Sequence, residues 1–143
     1  MKNQILLCFD YGEKRIGVAV GQTITSTASP LETVNVIKNN PDWESITRLI
    51  NTWQPDSLVV GVPLTMQGAR QKMTEAASRF IRQLKGRYNL PVYEIDERLS
   101  SYEAKQRLGS TWNIDSVAAQ AILETWLSEN KDNNNSKITV SKK

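Results

Sequence analysis

Two continuous apolar runs of strand length constrain the fold of this chain more than any other feature. Residues 5–9 read Ile-Leu-Leu-Cys-Phe and end at Asp10, and residues 58–62 read Leu-Val-Val-Gly-Val and end at Pro63. A strand without a polar position is buried on both faces, as in a sheet that helices cover on both sides. The two runs therefore predict buried strands of a layered α/β fold.

The segment after the first run predicts an antiparallel start to this sheet. Residues 16–21 alternate large and very small side chains and follow a turn at residues 11–14. We therefore expect a hairpin whose small side lets another element approach closely. Residues 28–36 predict a third strand, at an edge position because Pro30 has no backbone N–H to donate.

Helical patterns alternate with the later strands. Asn40 is the predicted N-cap of the first helix, with Pro41 at its first position, and residues 54–55 end it. The second helix is predicted over residues 70–87. Its predicted buried side is apolar at helical spacing: Met73, Ala76, Ala77, Phe80, Ile81 and Leu84. Its predicted exposed side is basic: Arg70, Lys72, Arg79, Arg82 and Lys85.

The C-terminal part predicts one more strand, two helices and a tail. The strand covers residues 91–96, a capping box at residues 100–103 begins a short helix, and the last helix begins near Asp115. A strand–helix–strand order implies parallel pairing. We predict one α/β domain over residues 1–129, with a mixed five-stranded sheet and helices on both faces. Residues 130–143 are polar and rich in Asn and Lys, which predicts a disordered tail.

The absence of histidine narrows the chemistry. None of the 143 residues is histidine, and the chain has one cysteine, Cys8. Ser-His-Asp and Cys-His mechanisms are therefore excluded, and a zinc site of His and Cys ligands is not expected. Hydrolytic chemistry would have to come from carboxylates, which suit Mg²⁺ or Mn²⁺.

Composition also bounds the compartment and the partners. A single cysteine within an apolar run favours a reducing compartment. We expect a cytoplasmic protein without a membrane span, because no apolar stretch approaches about 20 residues and the N-terminus carries no secretion signal. The net charge of +3 is compatible with a polyanionic partner but does not require one.

Asp10 is the first candidate for chemistry. It follows five apolar residues at the end of a predicted buried strand, where ligands gather in open α/β sheets. A charge in such surroundings is costly to bury without a partner. The alternative is an Asp that only forms the turn before Gly12.

Two further acidic positions follow later elements. Residues 93–98 end the last strand with Asp96, Glu97 and Arg98, which is also the pattern of a solvated strand end with a local ion pair. Asp115 lies in the first turn of the last helix, where the helix dipole favours an acid. It shares the apolar face of that helix, because apolar residues follow it at helical spacing: Ala118, Ala119, Ile122 and Trp126.

Four segments together resemble the YqgF family, a RuvX-type family of Holliday junction resolvases that is also described as pre-16S ribosomal RNA nucleases. The segments are Phe-Asp-Tyr-Gly with Arg-Ile-Gly-Val-Ala at residues 9–19, Val-Gly-Val-Pro-Leu at residues 60–64, Asp-Glu-Arg-Leu-Ser at residues 96–100, and Asp-Ser with Ala-Ala at residues 115–119. They occur in the order of the family and cover roughly residues 4 to 128.

The resemblance implies an RNase H-like fold and a metal-dependent nuclease. In nucleases of that fold, acids from separate elements converge on divalent cations that activate water and stabilise the leaving oxygen. Carried over to this chain, the metal-binding and catalytic acids are Asp10, Glu97 and Asp115. Basic residues of the same segments would bind nucleic acid through its phosphates: Lys14, Arg15 and Arg98.

Two departures from the family pattern bear on the site. Residues 109–114 form a shorter segment than the Gly- and Lys-bearing loop that precedes this aspartate in the family, which affects substrate contacts made there. The strand at residues 58–62 ends in Gly-Val-Pro, where many RNase H-like nucleases carry an acid. Glu97 would then supply that ligand, and Asp96 beside it is the alternative.

The leading functional hypothesis is a Mg²⁺- or Mn²⁺-dependent endonuclease that processes the 5′ end of precursor 16S ribosomal RNA, acting on the RNA or on ribosome-assembly particles. A resolvase of DNA Holliday junctions is a variant in the same class. The rival from another class is a non-catalytic protein that binds RNA or the ribosome. Both a monomer and a homodimer fit the sequence.

Overall fold

The computed structural model describes residues 3–12, 14–38, 40–62, 68–96 and 114–136, without the side chains of residues 68–74, 96, 114–115 and 130–136. The described residues form six strands and three helices. The strands are β1 (Ile5–Tyr11), β2 (Arg15–Gln22), β3 (Thr27–Ile37), β4 (Asn40–Pro41), β5 (Ser57–Val62) and β6 (Val92–Asp96). The helices are α1 (Trp43–Trp53), α2 (Gly68–Tyr88) and α3 (Ile114–Ser136).

The strands form one mixed sheet in the order β4-β3-β2-β1-β5-β6. The first three strands are an antiparallel meander, and β5 and β6 run parallel to β1. This confirms the predicted antiparallel hairpin followed by parallel strands. The prediction of five strands was one short, because Asn40–Pro41 also pairs with the sheet.

The first helix begins two residues later than predicted, because Asn40 and Pro41 belong to β4. Asn40 and Pro41 pair with the end of β3, and the backbone N–H of Asp42 continues that pairing by donating to the Asn35 carbonyl at 3.0 Å. Asp42 is the actual N-cap, accepting hydrogen bonds from the Ser45 N–H at 3.3 Å and the Ser45 hydroxyl at 2.8 Å. The Asn-Pro sequence is typical of a helix start, but in this fold it pairs with the edge of β3 instead.

The predicted edge position of Pro30 is confirmed. Pro30 lies in β3 opposite Ala19 of β2, and the two-residue β4 contacts β3 only at Val36 and Ile37. At Pro30, β3 is therefore paired on one side only, which is the kind of position that tolerates a residue without a backbone N–H.

Helices cover both faces of the sheet, as predicted. Odd-numbered residues of β1, among them Leu7 and Phe9, belong to a cluster with α1 and α2. Even-numbered residues, Leu6 and Cys8, belong to a cluster with α3. This alternation is the period of two that a strand imposes on its side chains, and it explains why the whole run is apolar.

The second and third helices extend slightly beyond their predicted ends. The apolar stripe of α2 is buried as predicted at Ala76, Ala77, Phe80, Ile81 and Leu84, whereas Met73 lies among the undescribed side chains. Helix α3 continues to Ser136, past the predicted boundary at residue 130, and the division into a domain of residues 1–129 and a tail stays a prediction. The predicted capping box at residues 100–103 lies outside the described residues, so the short helix that it was predicted to begin stays a prediction. Across the described part of the chain, the helices are too short or too polar to span a membrane.

Candidate active site

Asp10 lies near the carboxyl end of β1, between two glycines on the neighbouring strands. It pairs with Gly17 of β2 and with Gly61 of β5. Side chains of directly opposed residues come within about 5 Å of each other, so a glycine on both sides means that neither neighbouring strand fills the space beside the half-buried carboxylate with a side chain. Such space allows a ligand to approach closely.

The carboxylate of Asp10 belongs to the face of the sheet that α3 covers. Leu6 and Cys8 pack against α3 from the same strand, and Asp10 has the same parity. Tyr11, the next residue, is buried on the opposite face and packs against Phe80 of α2 with ring centroids 5.0 Å apart.

The first turn of α3 is fastened to the sheet at the level of Asp10. The Ser116 hydroxyl lies 3.2 Å from the Thr33 hydroxyl and donates to the Glu32 carbonyl at 3.3 Å, and Ser116 is fully buried. Thr33 pairs with Gly17, which pairs with Asp10. Neighbouring strands lie about 4.8 Å apart, so the backbone of Thr33, two strands away, is about 10 Å from the backbone of Asp10.

This geometry places the backbone of Asp115 at the same edge of the sheet as Asp10, because Asp115 directly precedes Ser116. Helix α3 begins at Ile114, as predicted within one residue. Its predicted apolar face is confirmed, since Ala118, Ala119 and Ile122 are buried.

Close packing further along α3 holds this first turn in place. A Cβ on Gly21 would lie 2.8 Å from Leu123 Cδ2 and 3.0 Å from the Thr27 carbonyl oxygen, so only glycine fits beneath the helix. The Gln120 side-chain amide donates to the Ala28 carbonyl at 3.1 Å. The small side of β2 therefore admits a close helix, as the sequence predicts.

Strand β6, which precedes the third predicted acid in the sequence, ends at the same edge. β6 pairs with β5 so that Ile95 lies opposite Gly61 and Asp96 opposite Val62. Ile95 is buried in the cluster beneath α3. Glu97 and Arg98 lie outside the described residues. Among the residues that the structure does describe, no three His, Cys, Asp or Glu side chains lie close enough together to hold a metal ion.

Lys14 and Arg15 lie at the hairpin that joins β1 to β2, and both side chains are exposed. The Lys14 carbonyl accepts a hydrogen bond from the Val36 N–H at 2.9 Å, and Arg15 pairs with Asn35. A Cβ on Gly12 would lie 2.6 Å from the Arg15 carbonyl oxygen, so this turn requires glycine. These two of the three predicted phosphate-binding residues therefore share the edge of the sheet where Asp10 lies.

Three features of the site were not predicted from the residues. The pairing of Asp10 with two glycines and the contact of Ser116 with Thr33 depend on strand register, although Gly17 was expected to admit close approach. The third is Arg79 on α2. Burial raises the pKa of the Tyr11 hydroxyl, and the positive charge of Arg79 opposes that rise. Arg79 therefore acts on the residue next to Asp10, from the opposite face of the sheet.

Comparison with known proteins gives consistent matches over most of the chain. Residues 4–129 match the family described as RuvX, Holliday junction resolvase. A protein of Nitrosococcus oceani named as a candidate pre-16S rRNA nuclease is 50% identical over 135 residues, which cover 90% of this chain and 89% of that protein. A Pseudomonas aeruginosa protein of the same name is 45% identical over 137 residues, covering 90% and 95%.

Solved structures of resolvases share the fold. T. thermophilus RuvC in complex with a Holliday junction substrate has a TM-score of 0.55 at 15% identity, covering 90% of this chain and 96% of that one. The fowlpox virus Holliday junction resolvase has a TM-score of 0.52 at 13% identity, covering 87% and 99%. These likenesses confirm the predicted RNase H-like fold.

Proposed function

Because the chain belongs to the RuvX family of Holliday junction resolvases, we propose that it is a metal-dependent endonuclease that cleaves precursor 16S ribosomal RNA at its 5′ end. Relatives at 45–50% identity are named for this substrate. The main support for the proposal is that Asp10 and the first turn of α3 lie at the same level along the strands, on one face of the sheet. The proposed substrate also implies a cytoplasmic site of action, on free RNA or on ribosome-assembly particles.

A divalent cation fits the donors at this edge. Nucleases with the RNase H-like fold generally use divalent metals. Asp10, Asp115 and Glu97 offer only carboxylate oxygens, which suit Mg²⁺ or Mn²⁺, and the glycines beside Asp10 leave room for an ion and a phosphate. A bound metal would supply an activated water and stabilise the leaving oxygen.

The chain's own residues would orient the substrate around that centre. Asp10 lies between β2 and β5 and is the central ligand of the proposed site. Lys14 and Arg15 on the hairpin, with Arg98, would hold the phosphates next to the cut bond by charge-assisted hydrogen bonds.

Between the adjacent acids at residues 96 and 97, we assign the ligand to Glu97, the position that the resemblance to the family implies. Glu97→Gln should abolish cleavage, and the matched variant Asp96→Asn should retain most of it. The reverse result would transfer the role to Asp96.

Asp10→Asn tests the proposal directly. Purified protein is incubated with precursor 16S rRNA, a four-way DNA junction or unrelated single strands, with Mg²⁺ or Mn²⁺. We expect the wild type to cut the precursor, Asp10→Asn to lose cleavage by several orders of magnitude, and RNA affinity to stay nearly unchanged. Glu94→Gln, which removes an exposed acid from β6, is the control and should cut normally.

Two outcomes would contradict the proposal. Wild-type cleavage by Asp10→Asn would place the activity elsewhere or in a contaminant. RNA binding without cleavage by the wild type, in either metal, would favour a non-catalytic RNA-binding protein.

A second candidate substrate is a DNA Holliday junction, which the family description favours. Symmetric cleavage of a junction requires two active sites related by a two-fold axis, and therefore a homodimer. Paired cuts in the four-way junction, together with a dimer in sedimentation, would favour this substrate over the RNA.

A further inference from the structure

Helix α2 is rich in positive charge, and three of its cations, Arg79, Arg82 and Lys85, follow one another along an exposed face. Its 21 residues include six basic side chains and a single acid, Glu75, whereas the whole chain carries a net charge of only +3. Arg79, Arg82, Lys85 and Arg87 are described and exposed. By contrast, the segment of α3 holds four acids and one lysine. The two sides of the sheet therefore differ in sign.

Neighbouring carboxylates do not neutralise this face. Within the side chains that the structure describes, no ion pair involves Arg79, Arg82 or Lys85, whereas Arg48 on the adjacent α1 pairs with Glu32 at 3.0 Å. Cations spaced three residues apart repel each other on a helix. A polyanion that covers the row would relieve this repulsion.

The row of cations begins at the end of the sheet that carries Asp10. Arg79 acts electrostatically on Tyr11, the residue after Asp10. Arg82 and Lys85 follow at successive turns, so the row is about 9 Å long from Arg79 to Lys85. Arg87 lies on a different side of the helix, with its guanidinium stacked 4.0 Å from the centroid of the Trp43 ring. A stacked guanidinium keeps its in-plane N–H donors for another partner.

We propose that this face of α2 binds the phosphate backbone of the RNA substrate outside the segment that is cut. The inference rests on the proposed nuclease function and adds a second contact surface on the opposite side of the sheet from Asp10. The RNA would pass from the proposed metal site over the edge of the sheet at Tyr11 and along α2. Such contacts bind RNA without reading its sequence, because they reach only phosphates.

The test uses the full chain in the Asp10→Asn background, so that RNA stays intact during binding. Arg79, Arg82 and Lys85 are replaced together by Gln, which preserves helix propensity. Affinity for a precursor 16S rRNA fragment is measured across salt concentrations. Three lost phosphate contacts should weaken binding on the order of a hundredfold at low salt, and should reduce the slope of log K against log salt by about 2.

Matched variants separate position from overall charge. Arg82→Gln alone should reduce the slope by about 0.7, whereas Arg48→Gln, which removes an ion-paired cation from α1, should leave it unchanged. Replacing Arg79 and Arg82 by Lys should retain wild-type affinity, since charge rather than shape holds the phosphate. A thermal melt confirms that each variant is folded.

The result is independent of the proposed cleavage site. In the chain with an intact Asp10, the triple Gln variant should raise KM and leave kcat unchanged. If Asp10→Asn still cleaves, the nuclease site is wrong while the binding surface stands. If the triple variant binds RNA with unchanged affinity and slope, the surface assignment is overturned. If the triple variant loses binding to polyglutamate but not to RNA, the surface assignment is also overturned, and the face is assigned to an acidic protein partner.

Discussion

On the side of the sheet covered by α1 and α2, the strands pack around a cluster of aromatic rings, whereas the buried cluster on the side covered by α3 is aliphatic, with only Trp126 packed against it. Phe80 lies at the centre of the first side, with its ring centroid 5.6 Å from both Phe9 and Trp43. The second side joins Ala19 and Ala28 of the sheet to Ala119 of the helix. The first cluster is also the larger of the two.

The two sides of the sheet therefore contribute differently: one mainly stabilises the fold, and the other carries the proposed active site. Aromatic side chains bury more apolar area than small ones, so the α1/α2 side should supply most of the hydrophobic stabilisation. The α3 side has fewer large side chains, but it carries Asp10 and the hydroxyl contacts that fasten the first turn of α3. The helix that positions the site therefore sits on the side with the smaller core.

Truncating the aromatic centre should have the largest effect on stability. Phe80 is 1% exposed and packs against three other rings. Phe80→Ala should lower the free energy of unfolding by about 3–5 kcal/mol, as measured by denaturant unfolding. The fraction that stays folded should cleave at the wild-type rate. A larger loss from Leu123→Ala on the α3 side would reverse the comparison.

A divalent cation should change the stability of the protein only through the α3 side of the sheet, where Asp10 lies. If Asp10, Glu97 and Asp115 converge, their repulsion destabilises the apo fold and Asp10→Asn relieves it. In chelator, Asp10→Asn should be as stable as wild type or more so. Mn²⁺ at a hundred times its Kd should stabilise the wild type by about 2.7 kcal/mol and the variant by less. Thermal melts check this, and a wild type that Mn²⁺ does not stabilise would count against the metal site.

The close approach of α3 to β2 can be tested by adding one methyl group. Gly21→Ala should cost about 1–3 kcal/mol, because the new Cβ meets Leu123 and the Thr27 carbonyl. Combined with Leu123→Ala, part of that cost should disappear, since the shorter side chain frees the space. A double-mutant cycle in urea measures this coupling. Additive losses would show that the backbone contact alone matters.

Ser116→Ala should affect activity more than stability. Loss of its contacts with Thr33 and the Glu32 carbonyl should cost about 1 kcal/mol. The first turn of α3, which carries Asp115, would then be held less firmly, and cleavage should fall severalfold at unchanged RNA affinity. Thr125→Ala removes a hydroxyl that bonds within α3 and serves as the control. Equal cleavage by both variants would argue that Ser116 does not position the site.

The smallest expected effect concerns the N-cap of α1. Hydrogen bonds from Ser45 lower the pKa of Asp42 below its ordinary value of 3.8. Ionised Asp42 therefore stabilises the fold above that ordinary value, and this contribution is lost as the pH falls through the lowered pKa. Asp42→Ala should lower Tm by a few degrees at pH 7 and by less at pH 3. Asp42→Asn, which still caps the helix, should lose less at pH 7.

Local patterns determined most of the elements of this protein. The apolar run of residues 5–9, the apolar stripe of α2 and the start of α3 near Asp115 were all predictable. Each depends on a period of two or of 3.6 residues, which can be read within a single segment. Asp10 could be selected in the same way, because it lies at the end of such a segment, whereas Lys14 and Arg15 were selected only through the resemblance to the family.

Only the tertiary structure decided how those segments meet. Asn40 and Pro41 form a short strand because they pair with the end of β3, although their sequence also suits a helix start. The row from Asp10 through Gly17 and Thr33 to Ser116 depends on a register shift between Gly17 and Ala19 of β2. Moving a strand by one residue turns its side chains to the other face. Register is set by pairing between segments distant in sequence, so no single segment determines which residues line the site.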